Sequence, residues 1–298
     1  MRLGKKMPGE NPGLNQIPLA LSMRYIRLEV SIATENEADP IRWLFSTEVP
    51  NSHAKMAPDT QRSARIAEIT PAGAGAVRLV LQYEDDPTHG RAAEFIPGQF
   101  MELTLPGTSI TRAYSLANTP NCDGTLEFLI RLHPQRVFSA YLTDRAKIGD
   151  SLLVKGPQGS FTADGASQAP RWFVAGGTGV APMLSILRQM AELGDSREAR
   201  LFFGVNTEGE LFATDVVEEL RKSLPRLGAT FCVWKPGPEW SGFVGTSAEA
   251  LAQSLAESEE HPDIYVCGPP ALIEATESVA LAGGVPRDRI FSERFSPA

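Results

Sequence analysis

The chain has 298 residues, of which 42% are hydrophobic and 21% charged, the balance of a globular protein with room for two domains. Its 28 Lys and Arg against 36 Asp and Glu leave a net charge of −8, which argues against a nucleic-acid binder, because such proteins need a basic surface to displace counterions. The longest uncharged run, residues 172–187, holds 16 residues with three glycines and a proline, too short and too broken for a membrane span of about 20 apolar residues.

Residues 1–60 are punctuated by Pro8, Pro12, Pro18, Pro40, Pro50 and Pro58, and only residues 25–32 alternate like a strand, so an irregular N-terminal segment is expected. From Ser63 onward short β-rich runs follow one another at 65–70, 77–82, 99–105, 111–117, 125–132 and 151–155, with one helical stretch at 137–145. Six strands at that spacing point to an antiparallel barrel, whose closure removes exposed edges. After a small, polar linker at 162–170 the rhythm changes to strand and helix. Strands are expected at 172–175, 200–205, 230–234, 263–267 and 289–293, and helices at 182–193, 214–224, 247–258 and 271–282. That alternation predicts a five-stranded parallel sheet covered on both faces, with ligands outside the carboxyl ends of its strands. The expected organisation is therefore an irregular segment (1–60), a β-barrel (61–166) and an α/β domain (167–298).

Cys122, Cys232 and Cys267 lie far apart and the four histidines show no ligand spacing, so neither a metal site nor a disulfide framework is expected. Lys5 and Lys6 are followed by an apolar run of five residues, 17–21, short of the roughly 7–15 that a signal peptide requires. The cytoplasm is the expected compartment.

Gly176-Gly177-Thr178-Gly179 follows a predicted strand and precedes a helix that has Pro182 in its first turn. Glycines let the backbone turn tightly and approach a pyrophosphate, and the helix then directs free N–H groups at it. The third glycine of the usual dinucleotide fingerprint is missing, and any tight strand-to-helix turn can look the same. Cys267-Gly268-Pro269-Pro270 closes another strand at the same sheet edge. Its thiol could lie against a bound ring or be a small buried residue. On a barrel strand, Arg112 and Tyr114 alternate with Ala113 and Ser115, which suits a phosphate-binding arginine beside a stacking tyrosine and equally suits ordinary strand alternation. Gly156-Pro157-Gln158-Gly159-Ser160-Phe161 reads as a turn, with Phe161 either in the core or an aromatic lid.

Taken in order, Arg112–Ser115, Gly156–Phe161, Gly176–Pro182, Cys267–Pro270 and Glu293-Arg294-Phe295 resemble the ferredoxin–NADP⁺ reductase superfamily. The stretch from Ser63 onward is most similar to the flavin and NADH domains of reductase components of bacterial multicomponent oxygenases, of the soluble methane monooxygenase type. The resemblance implies FAD and NADH as cofactors. It implies that Arg112 binds the flavin pyrophosphate with Ala113 beside it, that Tyr114 stacks on the isoalloxazine, and that Ser115 hydrogen-bonds near flavin N5. Arg131, Ser139, Gly159, Ser160 and Phe161 would complete the flavin contacts. Gly176, Gly177, Thr178, Gly179 and Pro182 would cradle the NADH pyrophosphate, and Asn206 and Glu208 would reach the ribose. Cys267, with Gly268 and Pro269, and Glu293 would stand beside the nicotinamide, and Phe295 near the open face of the flavin. Ser115, Cys267 and Glu293 are the expected catalytic residues.

Two departures stand out. Arg136 occupies a position where relatives usually have glycine, three residues before Ser139, and its charge could add a phosphate contact or its bulk crowd the site. Residues 1–60 contain no cysteine, whereas oxygenase reductases commonly carry a [2Fe–2S] domain. The resemblance therefore implies an NADH-dependent flavoprotein that hands electrons to a separate ferredoxin or oxygenase component, unless the N-terminus is truncated or altered. The alternatives are a stand-alone flavin or ferredoxin reductase, or an electron-transfer subunit of another redox complex. NADH is expected over NADPH because Glu208 and Glu210 follow the second strand of the α/β domain and would repel a 2′-phosphate.

Overall fold

The computed structural model describes residues 61–294. The expected irregular segment 1–60 and Phe295 lie outside the described residues. The first half is a six-stranded antiparallel sheet: β1 (Gln61–Pro71), β2 (Ala76–Tyr83), β3 (Phe100–Thr104), β4 (Thr111–Ser115), β5 (Thr125–Arg131) and β6 (Ser151–Gln158), in the order β4-β3-β6-β1-β2-β5. A bridge between Leu116 and Phe128, together with the Ala117 N–H donating to the Glu127 carbonyl at 2.8 Å, joins the last strand of that order back to the first. The barrel is thus closed, as the strand spacing implied. Leu79, Leu81, Met101, Leu103, Phe128 and Ile130 recur at alternate positions and fill its interior. The single helix α1 (Val137–Asp144) covers one end through Phe138 and Leu142.

The second half is a six-stranded parallel sheet. It is built from β7 (Arg171–Gly176), α2 (Val180–Glu192), β8 (Ala199–Val205), α3 (Thr214–Ser223), β9 (Leu227–Val233), β10 (Phe243–Val244), α4 (Ser247–Ala256), β11 (Asp263–Gly268), α5 (Pro270–Ala282) and β12 (Ile290–Arg294), in the order β10-β9-β8-β7-β11-β12. The sheet has one strand more than the five expected. That strand, β10, is two residues long and pairs only Phe243 and Val244 with β9, so it carries no periodicity to read.

Neighbouring residues on the central strands feed two separate cores. Phe173, Ala175, Leu201, Phe203 and Tyr265 face α2 and α3, while Trp172, Val174, Phe202, Ile264 and Val266 face α4 and α5. Both faces being covered is why these strands are continuously apolar. Thr246 and Glu249 close a reciprocal capping box that starts α4.

The order of the strands places β7 between β8 and β11, so the chain reverses direction across the sheet at β7, and the loop after it opens into the crevice where α/β folds bind ligands. On the far side of that crevice α2 is pinned to the barrel. Arg188 donates to the Ala117 carbonyl at 2.7 Å and to Glu127 at 3.2 Å, and the Ser185 hydroxyl donates to the Asn118 carbonyl at 2.6 Å. Glu127 is 8% exposed and also pairs with Arg78.

Candidate active site

Between barrel and sheet lies a cleft of about 830 Å³, within the range of small-molecule sites. One wall is β4, where Arg112, Ala113, Tyr114 and Ser115 all line the cleft. Tyr114 leans on Phe138, with ring centroids 5.3 Å apart, and burial pushes its phenol well above the usual range, so it presents a neutral aromatic ring. Arg112 makes one hydrogen bond, to the carbonyl of Thr111 at 2.7 Å, and pairs with no carboxylate among the described residues. The N-terminus of α1 completes this wall. Arg136 is its N-cap, in an extended conformation with no side-chain cap, and no acidic residue occupies the first turn. Ser139 faces the cleft and its Oγ accepts the His133 N–H at 3.0 Å.

The opposite wall is the turn after β7. Gly176, Gly177 and Thr178 line it. Gly177 has φ of +54° and nothing within 4 Å of where a Cβ would stand, so the backbone there is open to a ligand in a conformation that disfavours other residues. Gly179 serves packing instead: a Cβ would meet the Cys267 carbonyl oxygen at 2.2 Å. The floor comes from β12, where Glu293 is in register with Cys267 of β11. The Ser115 hydroxyl donates to Glu293 at 3.0 Å, joining the barrel to the sheet inside the cleft. Burial raises the Glu293 carboxyl to about 7, an effect that the Ser115 hydrogen bond partly opposes. A second link crosses nearby, from Arg131 to Glu210 at 3.3 Å.

Arg112, Ala113, Tyr114, Ser115, Arg131, Ser139, Gly176, Gly177, Thr178, Asn206, Pro269 and Glu293 therefore converge on one cleft. Other expected site residues do not line it. Phe161 is a core residue, edge-on to Tyr265 at 6.0 Å, which excludes a lid role in this conformation. Cys267 is fully buried among apolar side chains. Burial, with Glu293 beside it, pushes its thiol well up. Pro182 and Gly179 are buried in and before α2. Gly268 packs against Leu272 and Gly176. Ser160 is exposed outside the cleft, and Gly159 sits behind Glu293, whose Oε1 would lie 3.5 Å from an added Cβ. Glu208 turns away to accept the Gly237 N–H at 2.8 Å, and Glu210 is the carboxylate that lines the cleft, accepting from the Asn206 side chain at 3.2 Å.

Sequence reading missed Phe138, Leu129, Leu272 and Trp234, all on the cleft wall. Trp234 is 54% exposed just past the carboxyl end of β9, and an aromatic at the edge where α/β folds bind ligands was the signal available. The apolar Leu129, Tyr114 and Phe138 next to Arg112, Arg136 and Ser139 suit a planar ring carrying phosphates. The open Gly177 turn suits a second phosphate-bearing ligand. The residues present thus fit a flavin on the barrel side and a nicotinamide dinucleotide on the sheet side.

Family models for an oxidoreductase FAD-binding domain and an oxidoreductase NAD-binding domain match residues 81–163 and 173–278. The reductase component of propane 2-monooxygenase from Rhodococcus jostii (strain RHA1) is 34% identical over 239 residues, covering 78% of this chain and 64% of the relative. Its counterpart from Gordonia sp. (strain TY-5) is 32% identical, covering 81% of this chain and 70% of the relative. Among solved structures, the ferredoxin reductase in carbazole 1,9a-dioxygenase superposes with a TM-score of 0.72 at 26% identity, covering 80% of this chain and 70% of that one. The chain spans slightly under two thirds of the Rhodococcus relative's length.

Proposed function

Because the chain belongs to the ferredoxin–NADP⁺ reductase superfamily, among the FAD- and NAD-binding reductase components of oxygenase systems, we propose that it takes electrons from NADH through FAD and passes them to an iron–sulfur or oxygenase partner. The observation that carries this reading is the 3.0 Å hydrogen bond between Ser115 and Glu293, which marks where the flavin wall and the nucleotide wall meet. When bound, the flavin supplies the conversion of two-electron to one-electron chemistry. The chain's own part is to hold and align. Tyr114, Phe138 and Leu129 seat a ring, Arg112 neutralises a phosphate, and Gly177 and Thr178 admit the dinucleotide. Ser115 offers a hydroxyl at the junction, and Glu293 sits behind it with a carboxyl able to hold a proton near neutral pH. Cys267 stands in register with Glu293 in the β11–β12 ladder, and its carbonyl packs against Gly179, so it lies directly behind the floor of the cleft.

The boundary between the two functional halves is placed in the linker near residue 166. The proposed compartment is the cytoplasm, in keeping with free Cys122, Cys232 and Cys267; among the described residues no helix is long and apolar enough to cross a membrane. Of the two expected carboxylates, Glu210, which lines the cleft beside Asn206, is assigned the preference for NADH, while Glu208 accepts the Gly237 N–H. Steady-state turnover of the purified, flavin-loaded chain tests the reading. The expected result is a higher kcat/KM for NADH than for NADPH, and faster reduction of an iron–sulfur carrier than of free flavin. Equal or better use of NADPH overturns the donor, and exclusive reduction of free flavin overturns the partner.

A further inference from the structure

The barrel wall of the cleft carries more positive charge than one phosphate contact needs. Arg112 on β4 and Arg136 at the start of α1 line the same cavity, and neither pairs with a carboxylate among the described residues. Arg131 lines it too, but its charge is answered by Glu210 at 3.3 Å. In a chain with net charge −8, Arg112 and Arg136, with Arg294 on the sheet side, put three guanidinium groups without a carboxylate partner among the described residues on one cavity, which favours an anionic ligand there. The N-cap position adds to this, because the side chain of Arg136 makes no cap bond and the first turn of α1 contains no acidic residue, leaving the positive end of the helix without a side-chain cap. Arg136 also takes an extended backbone, φ −101° and ψ 133°, a conformation open to any residue, so its side chain sits there without strain.

Building on the proposed flavin site, we propose that Arg136, at the start of α1, is a second diphosphate-binding residue that works with Arg112 of β4, so that this chain holds FAD through a pair of arginines. A guanidinium binds phosphate oxygens through several N–H donors and remains charged at any working pH. Arg136 stands two residues before Phe138, whose ring packs on Tyr114, and all three line the cleft. Its contribution should therefore follow the phosphates of the ligand and leave the ring unaffected.

Affinities of the flavin-stripped full chain for FAD, FMN and riboflavin, read by flavin fluorescence at two salt concentrations, test this. Arg136→Gln is expected to weaken FAD about ten- to a hundredfold, the range for hydrogen bonds to charged groups, and to leave riboflavin unchanged. Arg136→Lys should recover part of the loss, and the gap between wild type and Arg136→Gln should shrink as salt rises. If Arg136→Gln binds FAD as tightly as wild type, or loses riboflavin to the same degree, the assignment is overturned. A wild type that takes up none of the three flavins overturns the proposed function itself, which separates the two failures.

Discussion

Two seams join the barrel to the parallel sheet, and they are built for different purposes. Behind the cleft, Arg188 and Ser185 of α2 bond directly to backbone carbonyls of Ala117 and Asn118, and Glu127 is gripped by Arg78 and Arg188. In front, the side chains that cross the cleft are Ser115 to Glu293 and Arg131 to Glu210, and all four line it. The rear seam ties two side chains of α2 to barrel backbone and shares one largely buried carboxylate between two arginines, which makes it the structural tie. The front seam consists of side-chain contacts between polar groups that face the cleft, where a bound ligand would meet them. Rigid support and a polar lining are the usual division between scaffold and site.

The largest effect should come from the rear. Glu127→Ala leaves Arg78 and Arg188 without their shared carboxylate, and is expected to lower stability by about 2–4 kcal/mol, below the upper range for broken buried pairs because both arginines keep some solvent. Urea denaturation measures this. A loss under about 0.5 kcal/mol would mean that the rear seam does not hold the halves together.

The front seam should respond to pH instead. Burial raises the Glu293 carboxyl to about 7 in the folded chain, against 4.5 ordinarily. Between those values the folded state keeps a proton that the unfolded chain releases, so stability falls as pH rises through the window and the loss is complete above about 7. The expected decline attributable to this group is about 1–3 kcal/mol, discounted for the solvent that reaches the cleft. Glu293→Gln should remove that part of the slope, and an unchanged slope would show that the carboxyl is not held protonated.

The smallest effect on stability is expected for Glu210→Gln, under about 1 kcal/mol, because Arg131 is partly exposed and such pairs contribute little. The same variant should narrow the difference in kcat/KM between NADH and NADPH. If the difference stays constant, Glu210 does not set donor choice.

Much of this arrangement was legible in the sequence for physical reasons. Closure of the barrel followed from short alternating strands, and the two-faced sheet from strands such as Trp172–Phe173–Val174–Ala175, which place successive apolar residues in different cores. The Arg112–Ser115 strand and the Gly176–Thr178 turn lie on facing walls as their order implied. What could not be read was orientation. Glu208 and Glu210 are equivalent in sequence, yet one turns to the Gly237 N–H and the other to the cleft, a choice made by a loop packed against them from 29 residues away. Cys267 and Phe161 belong to site-like motifs but are claimed by the core, since small or apolar side chains at strand ends satisfy packing as readily as ligand contact. The two-residue β10 has no pattern of its own and exists only because β9 offers an unpaired edge.

The central claim is that the Ser115–Glu293 junction is where the two cofactors meet. Anaerobic rapid mixing of the FAD-loaded chain with NADH, followed by the loss of flavin absorbance, tests it most directly. The expected result is rapid bleaching in the wild type and bleaching about ten- to a hundredfold slower in Ser115→Ala at equal flavin content, equivalent to about 1.4–2.7 kcal/mol of barrier. An unchanged rate in Ser115→Ala, or a wild type whose bound flavin NADH does not bleach, would contradict it.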